Sequence, residues 1–236
     1  MCLPSKKQRH AGFLVPHGCT PIGPVITIFA NEHFVVADKP AGALTVPGRT
    51  GASDPRPCIG RELETALGIR LWPIHRLDCE VSGLVVFAKN ADAHRAANTW
   101  FAGREVRKIY QALTARGEGV TPSSQPMEWR CRLLRGKKRA YESPHGKEAV
   151  TRAVCLGERA AGLGWRLEPL TGRSHQLRVQ LAAHGFPIVG DVLYGSSIPY
   201  ALPGIALRAV ELDLHACGDR EKWAVPAELR VEGLFD

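Results

Sequence analysis

The sequence predicts an α+β fold, a single domain built on a mixed, mostly antiparallel sheet flanked by helices. Three observations predict it. Short runs rich in Val, Ile, Leu and aromatic residues outnumber the segments with helical spacing, and several neighbouring runs are close enough to be hairpin-linked. The 236 residues, 44% of them apolar and 23% charged, match an ordinary soluble domain with enough chain for a substantial core. No internal repeat or low-complexity block breaks the pattern. One domain therefore spans 25–236, after an irregular leader at 1–24 that holds Pro4, Pro16, Pro21 and Pro24.

The elements follow in order. Val25–Phe29 and Phe34–Asp38 read as two strands around a turn at Asn31-Glu32. Lys39-Pro40-Ala41-Gly42 ends the second, because Pro40 has no N–H for a ladder and Gly42 permits a sharp bend. After a loop rich in Gly, Pro and Ser (47–57), Ile59, Leu63, Ala66 and Leu67 share one helical face, and Gly68 stands where that helix stops. Leu84–Ala88 is a buried strand, Asn90 an N-cap, and 91–101 a helix carrying Trp100 and Phe101. Lys108–Ala115 is a further strand, followed by a polar linker at 116–127. Strands are then expected at Trp129–Leu134 and near 148–156, and the alternation of Leu163, Trp165 and Leu167 gives one with a single buried face. Leu177, Leu181 and Ala182 suit a helix that Gly185 closes, and a last strand covers roughly 205–214.

Charge and cysteine usage narrow the function. Lys and Arg total 31 against 23 acids, a net charge of +8, and 22 of the cations are Arg. Guanidinium groups pair bidentately with phosphate and stack on bases, so this excess points to a nucleic-acid partner. The seven cysteines are scattered, with no C-x-x-C pair and no clustered zinc ligands; they read as free thiols, and neither a metal nor a cofactor is expected. No apolar run approaches the roughly 18 residues of a membrane span, and no apolar segment follows the cations near the start. A cytoplasmic location without membrane attachment is expected.

Two segments carry polar residues where a core should be apolar. Ile74-His75-Arg76-Leu77-Asp78-Cys79-Glu80-Val81-Ser82-Gly83 precedes the buried strand 84–88, and Thr171-Gly172-Arg173-Ser174-His175-Gln176-Leu177-Arg178 runs from a strand end into a helix. Loops at strand ends on a rigid sheet are the usual home of active sites. Taken singly, each also fits a hydrogen-bonded turn or a helix cap.

Together the two segments resemble signatures of the RluA-type pseudouridine synthases. The first is similar to that family's H-R-L-D-x-x-(T)-S-G, and the second to its T-G-R-(T/S)-H-Q-(L/I)-R, continuing through Gly185–Asp191 to Tyr194-Gly195. Asp38-Lys39-Pro40-Ala41-Gly42 resembles the family's opening turn and Lys108–Leu113 its tyrosine strand. The matches keep the family's order and cover roughly 25–230. Val81 replaces the usual Thr, Cys79 a common basic residue, and Glu80 an Asp. The resemblance implies the pseudouridine synthase fold and a specific uridine in rRNA or tRNA as substrate. It implies no cofactor, because the base is detached from the ribose, turned and rejoined through carbon 5 without leaving the pocket.

It also implies roles. Asp78 is the essential carboxylate, whether it attacks the sugar, attacks the base or removes a proton. A guanidinium partner keeps such a carboxylate ionised and fixes its geometry; Arg178 is the first candidate and Arg173 the second. Tyr110 is the family's tyrosine, packed against the uracil. A stacked base cannot reach Asp78, so the uridine must flip, and Arg76 can occupy the vacated stack. His75 supports the loop, and His175 is either a phosphate contact or a core residue. Arg130, Arg132, Arg135, Lys137, Lys138 and Arg139 crowd one turn that can follow a phosphate backbone, with Arg135, Lys137 and Lys138 as its chief contacts. Being far from Asp78 in the motif order, that turn is expected to serve binding apart from chemistry. The competing readings are a catalytically silent RNA-binding relative, and a glycoside hydrolase with Glu80 as its second acid.

Overall fold

Alternation along two strands decides the layering. The computed structural model describes residues 25–48, 51, 54–117, 119, 121–160 and 162–235; the expected leader at 1–24 lies outside them. In β2 (Phe34–Lys39), Phe34 and Val36 pack on one side of the sheet, while Val35 and Ala37 pack on the other. In β4 (Ser82–Ala88), Leu84, Val86 and Ala88 likewise oppose Val85 and Phe87. Both faces are covered at these strands, which is why they read as unbroken apolar runs. α1 (Ile59–Leu67) and α3 (Gln176–Ala183) cover one face with Ile59, Leu63, Leu177 and Leu181. α2 (Ala91–Ala102) covers the other with Ala93, Ala97 and Trp100. Asn90 caps α2 by accepting from the Ala93 N–H at 2.9 Å, and Gly68 ends α1 in the left-handed conformation.

The remaining strands are β1 (Ile26–Ala30), β3 (Trp72–Pro73), β5 (Arg107–Thr114), β6 (Met127–Arg135), β7 (Ala140–Glu142), β8 (Lys147–Arg159), β9 (Gly162–Pro169), β10 (Leu207–Asp213) and β11 (Glu228–Arg230). The sheet runs β1-β2-β4-β10-β5-β9-β8-β6-β7, with β3 on β4 and β11 on β10. Its pairings are antiparallel apart from one parallel contact, where Arg208 and Ala209 of β10 face Ser82 and Gly83 of β4. Gly83 is required there: a Cβ would lie 2.1 Å from the Ala209 carbonyl oxygen, and its φ is +114°. That join brings the end of the 74–83 motif beside the centre of the sheet.

β9 buries Leu163, Trp165 and Leu167 in the core from one face, as their alternation predicts; on the other face Glu168 lies beneath Arg107, which donates to both its carboxylate oxygens, at 3.1 and 3.2 Å. β3, β7 and β11, of two or three residues each, were not expected as strands, because so few residues show no periodicity.

Candidate active site

The loop between β3 and β4 is held by groups from three other segments. The Lys39 ammonium, fully buried, donates to the carbonyls of Ala43 (2.7 Å), Pro40 (2.9 Å) and Cys79 (3.3 Å). Thr45 Oγ1 accepts from the Leu77 N–H at 3.1 Å and donates to the Leu77 carbonyl at 3.2 Å. Gly42 and Ile205 donate backbone bonds to Cys79 and Glu80, at 2.8 and 3.1 Å. With Leu77 and Val81 buried on either side, Asp78 has little freedom except in its carboxylate, which is partly open to solvent. Val81, where the family pattern has Thr, is a core residue. Burial pulls the Lys39 ammonium down to about 8, against the raising charges of Cys79, Asp78, Glu80 and Asp38.

α3 supplies the guanidinium. Gln176, Arg178 and Gln180 are all buried on this helix, and buried polar groups must be partnered. Gln176 accepts from Thr171 Oγ1 (2.7 Å) and the Arg173 N–H (3.0 Å), and donates to the Val150 carbonyl (3.0 Å) and Thr151 Oγ1 (2.9 Å). Thr171 therefore braces α3 against β8 instead of capping it; the N-cap is His175, at φ +53°. Arg178 gives Nε and Nη2 to Asp191, at 2.7 and 2.9 Å, in a fork in which both side chains are almost fully buried. Its remaining corner, Nη1, points to Asp78 Oδ2 at 3.4 Å and Glu80 Oε2 at 3.2 Å. Burial alone would lower the guanidinium pKa, but the bonds and charge of Asp191, followed by Glu80 and Asp78, hold it above its ordinary value. Asp191 thus aims Arg178, and Arg178 meets Asp78.

Tyr110 stands on β5 between Ala209 of β10 and Leu167 of β9. Burial, with the Asp78 charge adding to it, pushes its phenol well above the ordinary tyrosine range, so it is neutral beside the carboxylate. Arg76 is exposed and bonds to no described residue, free to reach a bound partner. His75 stacks on Phe101 with ring centroids 5.1 Å apart, and burial pushes its imidazole down to about 3, with Lys108 adding. His75 is thus neutral, its ring lying against Phe101 of α2.

Of the two arginines left open by the sequence, Arg178 meets Asp78, whereas Arg173 donates to the Glu148 carbonyl at 2.8 Å. Lys137, Lys138 and Arg139 are exposed at the turn between β6 and β7, while Arg130 is occupied by Glu128 and Glu148. Although far from Asp78 in the motif order, the turn touches the second motif in space: Arg135 Nη1 lies 3.1 Å from His175 Nε2. Asp191, Tyr194 and Lys39 were not singled out as site residues, although all three lie within the motifs quoted, and Glu80 was weighed only as the second acid of the competing hydrolase reading. An aspartate and a tyrosine a few residues after a helix with a mid-helix arginine are the signal that could have found two of them. Among the described residues, no three His, Cys, Asp or Glu side chains converge as metal ligands.

Comparisons with known proteins bear on the same segments. Residues 33–183 match the family model described as RNA pseudouridylate synthase. The chain belongs to this family, and its activity is that of an RNA pseudouridine synthase, an isomerase acting on RNA. Among its relatives, the dual-specificity RNA pseudouridine synthase RluA of Yersinia pestis is 32% identical over 221 residues, 89% of this chain and 100% of that protein. The ribosomal large subunit pseudouridine synthase D of Pseudomonas aeruginosa is 30% identical, covering 84% of this chain and 67% of the relative. In fold, the structure of human RNA Pseudouridylate Synthase Domain Containing 1 superposes with a TM-score of 0.67 at 24% identity, over 83% of this chain and 81% of that one.

Proposed function

We propose that the chain flips one specific uridine of ribosomal or transfer RNA into the Asp78 pocket, in the cytoplasm, and isomerises it there. The supporting observation is the Asp78 carboxylate held on an anchored loop against Arg178, beside the partly buried Tyr110. The name of the Pseudomonas aeruginosa relative favours ribosomal RNA, and the dual specificity in the name of the Yersinia pestis relative favours more than one RNA target. In the overall change the N1–C1′ bond breaks, C5–C1′ forms, C5 loses its proton and N1 gains one. Asp78 sits at the sugar–base bond, where attack on the sugar, attack on the base and proton removal all require a carboxylate. Tyr110 supplies a neutral aromatic wall for the uracil. Arg178 restrains Asp78, and Arg76, exposed and bonded to no described residue, fills the gap in the RNA stack. His75 holds the loop that carries both, and Arg173, Arg135, Lys137 and Lys138 face the phosphate backbone.

Pseudouridine mapping across total RNA from cells with and without the protein tests this reading. The expected result is a site in ribosomal or transfer RNA that vanishes with the protein and returns with the wild-type chain but not with Asp78→Asn. Loss confined to another RNA class would overturn the substrate assignment, and restoration by Asp78→Asn would overturn the role of Asp78.

A further inference from the structure

Arg135, His175 and Tyr194 come from three separate segments and form one hydrogen-bonded chain whose last ring lies against the Arg178 guanidinium. Arg135 Nη1 is 3.1 Å from His175 Nε2, and His175 Nδ1 is 2.9 Å from the Tyr194 hydroxyl. That hydroxyl accepts from the Ala140 N–H at 2.9 Å and lies 3.1 Å from the Ala140 carbonyl oxygen. The Tyr194 ring in turn carries the Arg178 guanidinium on its face, 5.2 Å from the ring centroid.

Donor and acceptor capacity fixes every proton in the chain. A guanidinium only donates, so His175 Nε2 must accept and the ring must be neutral with its proton on Nδ1. Nδ1–H then donates to the Tyr194 oxygen, whose own hydrogen is left for the Ala140 carbonyl. The Tyr194 oxygen accepts twice and donates once, within its capacity, and none of these bonds conflicts. Burial keeps the His175 imidazole below its ordinary range, with Arg178 and Arg135 adding and Asp78 and Glu80 opposing. His175 also adopts φ +53°, a conformation that non-glycine residues take up at a cost, so the ring is directed to these partners against a local preference.

We propose that His175 and Tyr194 are positioning residues that clamp the basic β6–β7 turn onto Arg178, so that RNA held by the turn and the Asp78 carboxylate keep one register. The inference rests on the functional reading above and adds to it a coupling between binding and chemistry. His175→Asn keeps an amide donor at the Nδ1 position and tolerates the left-handed backbone, but loses Arg135. Tyr194→Phe keeps the ring beneath Arg178 and loses the hydroxyl.

The test combines amide hydrogen exchange of the free protein with single-turnover conversion at saturating RNA. Tyr194→Phe is expected to speed exchange at the Ala140 amide at least tenfold. It and His175→Asn are each expected to lower the saturated rate about fivefold, the effect of one lost hydrogen bond, with an unchanged salt dependence of RNA affinity. Adding Arg135→Ala to His175→Asn is expected to lower the salt slope by roughly 0.7–0.9 without a further fall in saturated rate. Wild-type saturated rates in both single variants, or independent multiplying effects of His175→Asn and Arg135→Ala, would overturn the clamp while leaving the functional reading intact. Absence of conversion by the wild-type chain would overturn that reading instead, and with it the coupling; unchanged Ala140 exchange in Tyr194→Phe would overturn the clamp whatever the activity.

Discussion

Replacing Arg178 by Met separates two jobs that one guanidinium performs. The substitution keeps an unbranched side chain of similar reach but abandons Asp191, which is almost wholly buried and receives two of the three guanidinium corners, at 2.7 and 2.9 Å. Removing one partner of a buried pair costs about 3–5 kcal/mol, because the remaining charge is left without solvent or counterion. The Asp78 and Glu80 contacts add little to that figure, since both carboxylates reach water and both distances exceed 3 Å. A loss of about 4 kcal/mol changes the folding equilibrium roughly a thousandfold, yet lies within the 5–15 kcal/mol typical of a domain, so the variant remains foldable. Adding Asp191→Asn removes the stranded charge and should restore most of the stability in urea unfolding followed by tryptophan fluorescence. It restores nothing at Asp78, and the saturated single-turnover rate should stay near background in both variants. An Arg178→Met variant destabilised by under about 1 kcal/mol would refute the buried pair. A double variant that regains its rate would refute the claim that Arg178 serves Asp78.

Two other predictions are independent of that pair. His75 is held neutral, with its imidazole pushed down to about 3, while the unfolded chain binds its proton near pH 6.5. Between those values the unfolded state binds more protons, so stability falls as pH falls; from pH 6.5 to 5 His75 accounts for at most about 2 kcal/mol of the loss. His75→Phe preserves the stack on Phe101 and should remove that component, read as a smaller difference in urea stability between pH 7 and 5 than the wild type shows; equal differences would refute it. At the basic turn, Lys137→Ala with Lys138→Ala should weaken RNA binding and flatten the plot of log affinity against log salt by about 1.5. An unchanged slope would mark the turn as a solvated face.

The sheet and its helices were legible because the strands have both faces or one face committed to the core. Phe34–Asp38 and Leu84–Ala88 show runs that only burial explains, and Asn90 and Gly68 mark helix ends by mechanisms confined to neighbouring residues. β7 and β11 were not legible, since three residues are too few to show a period, even though each pairs with the strand just before it. The site divides in the same way. Asp78, Tyr110 and Arg178 stood out through motif order, and the choice between Arg178 and Arg173 needed the turn of α3, which aims one inward and leaves the other on the Glu148 carbonyl. The bond between Arg135 and His175 spans 40 residues, so the order of motifs gave no sign that the basic turn touches the Thr171–Arg178 segment. Lys39 shows the same limit: a lysine beside a proline reads as a strand end, and only the fold reveals three carbonyls around its ammonium.

The central claim is that the Asp78 carboxylate, and not the RNA-binding surface around it, makes the reaction possible. Its most direct test is single-turnover conversion of uridine to pseudouridine in RNA lacking the modification, with wild type and Asp78→Asn compared at RNA concentrations that saturate each. Asn keeps the size and hydrogen bonding of Asp and removes the charge, so affinity should change little while conversion falls to that of RNA alone. Conversion by Asp78→Asn measurably above the no-enzyme control would contradict the account.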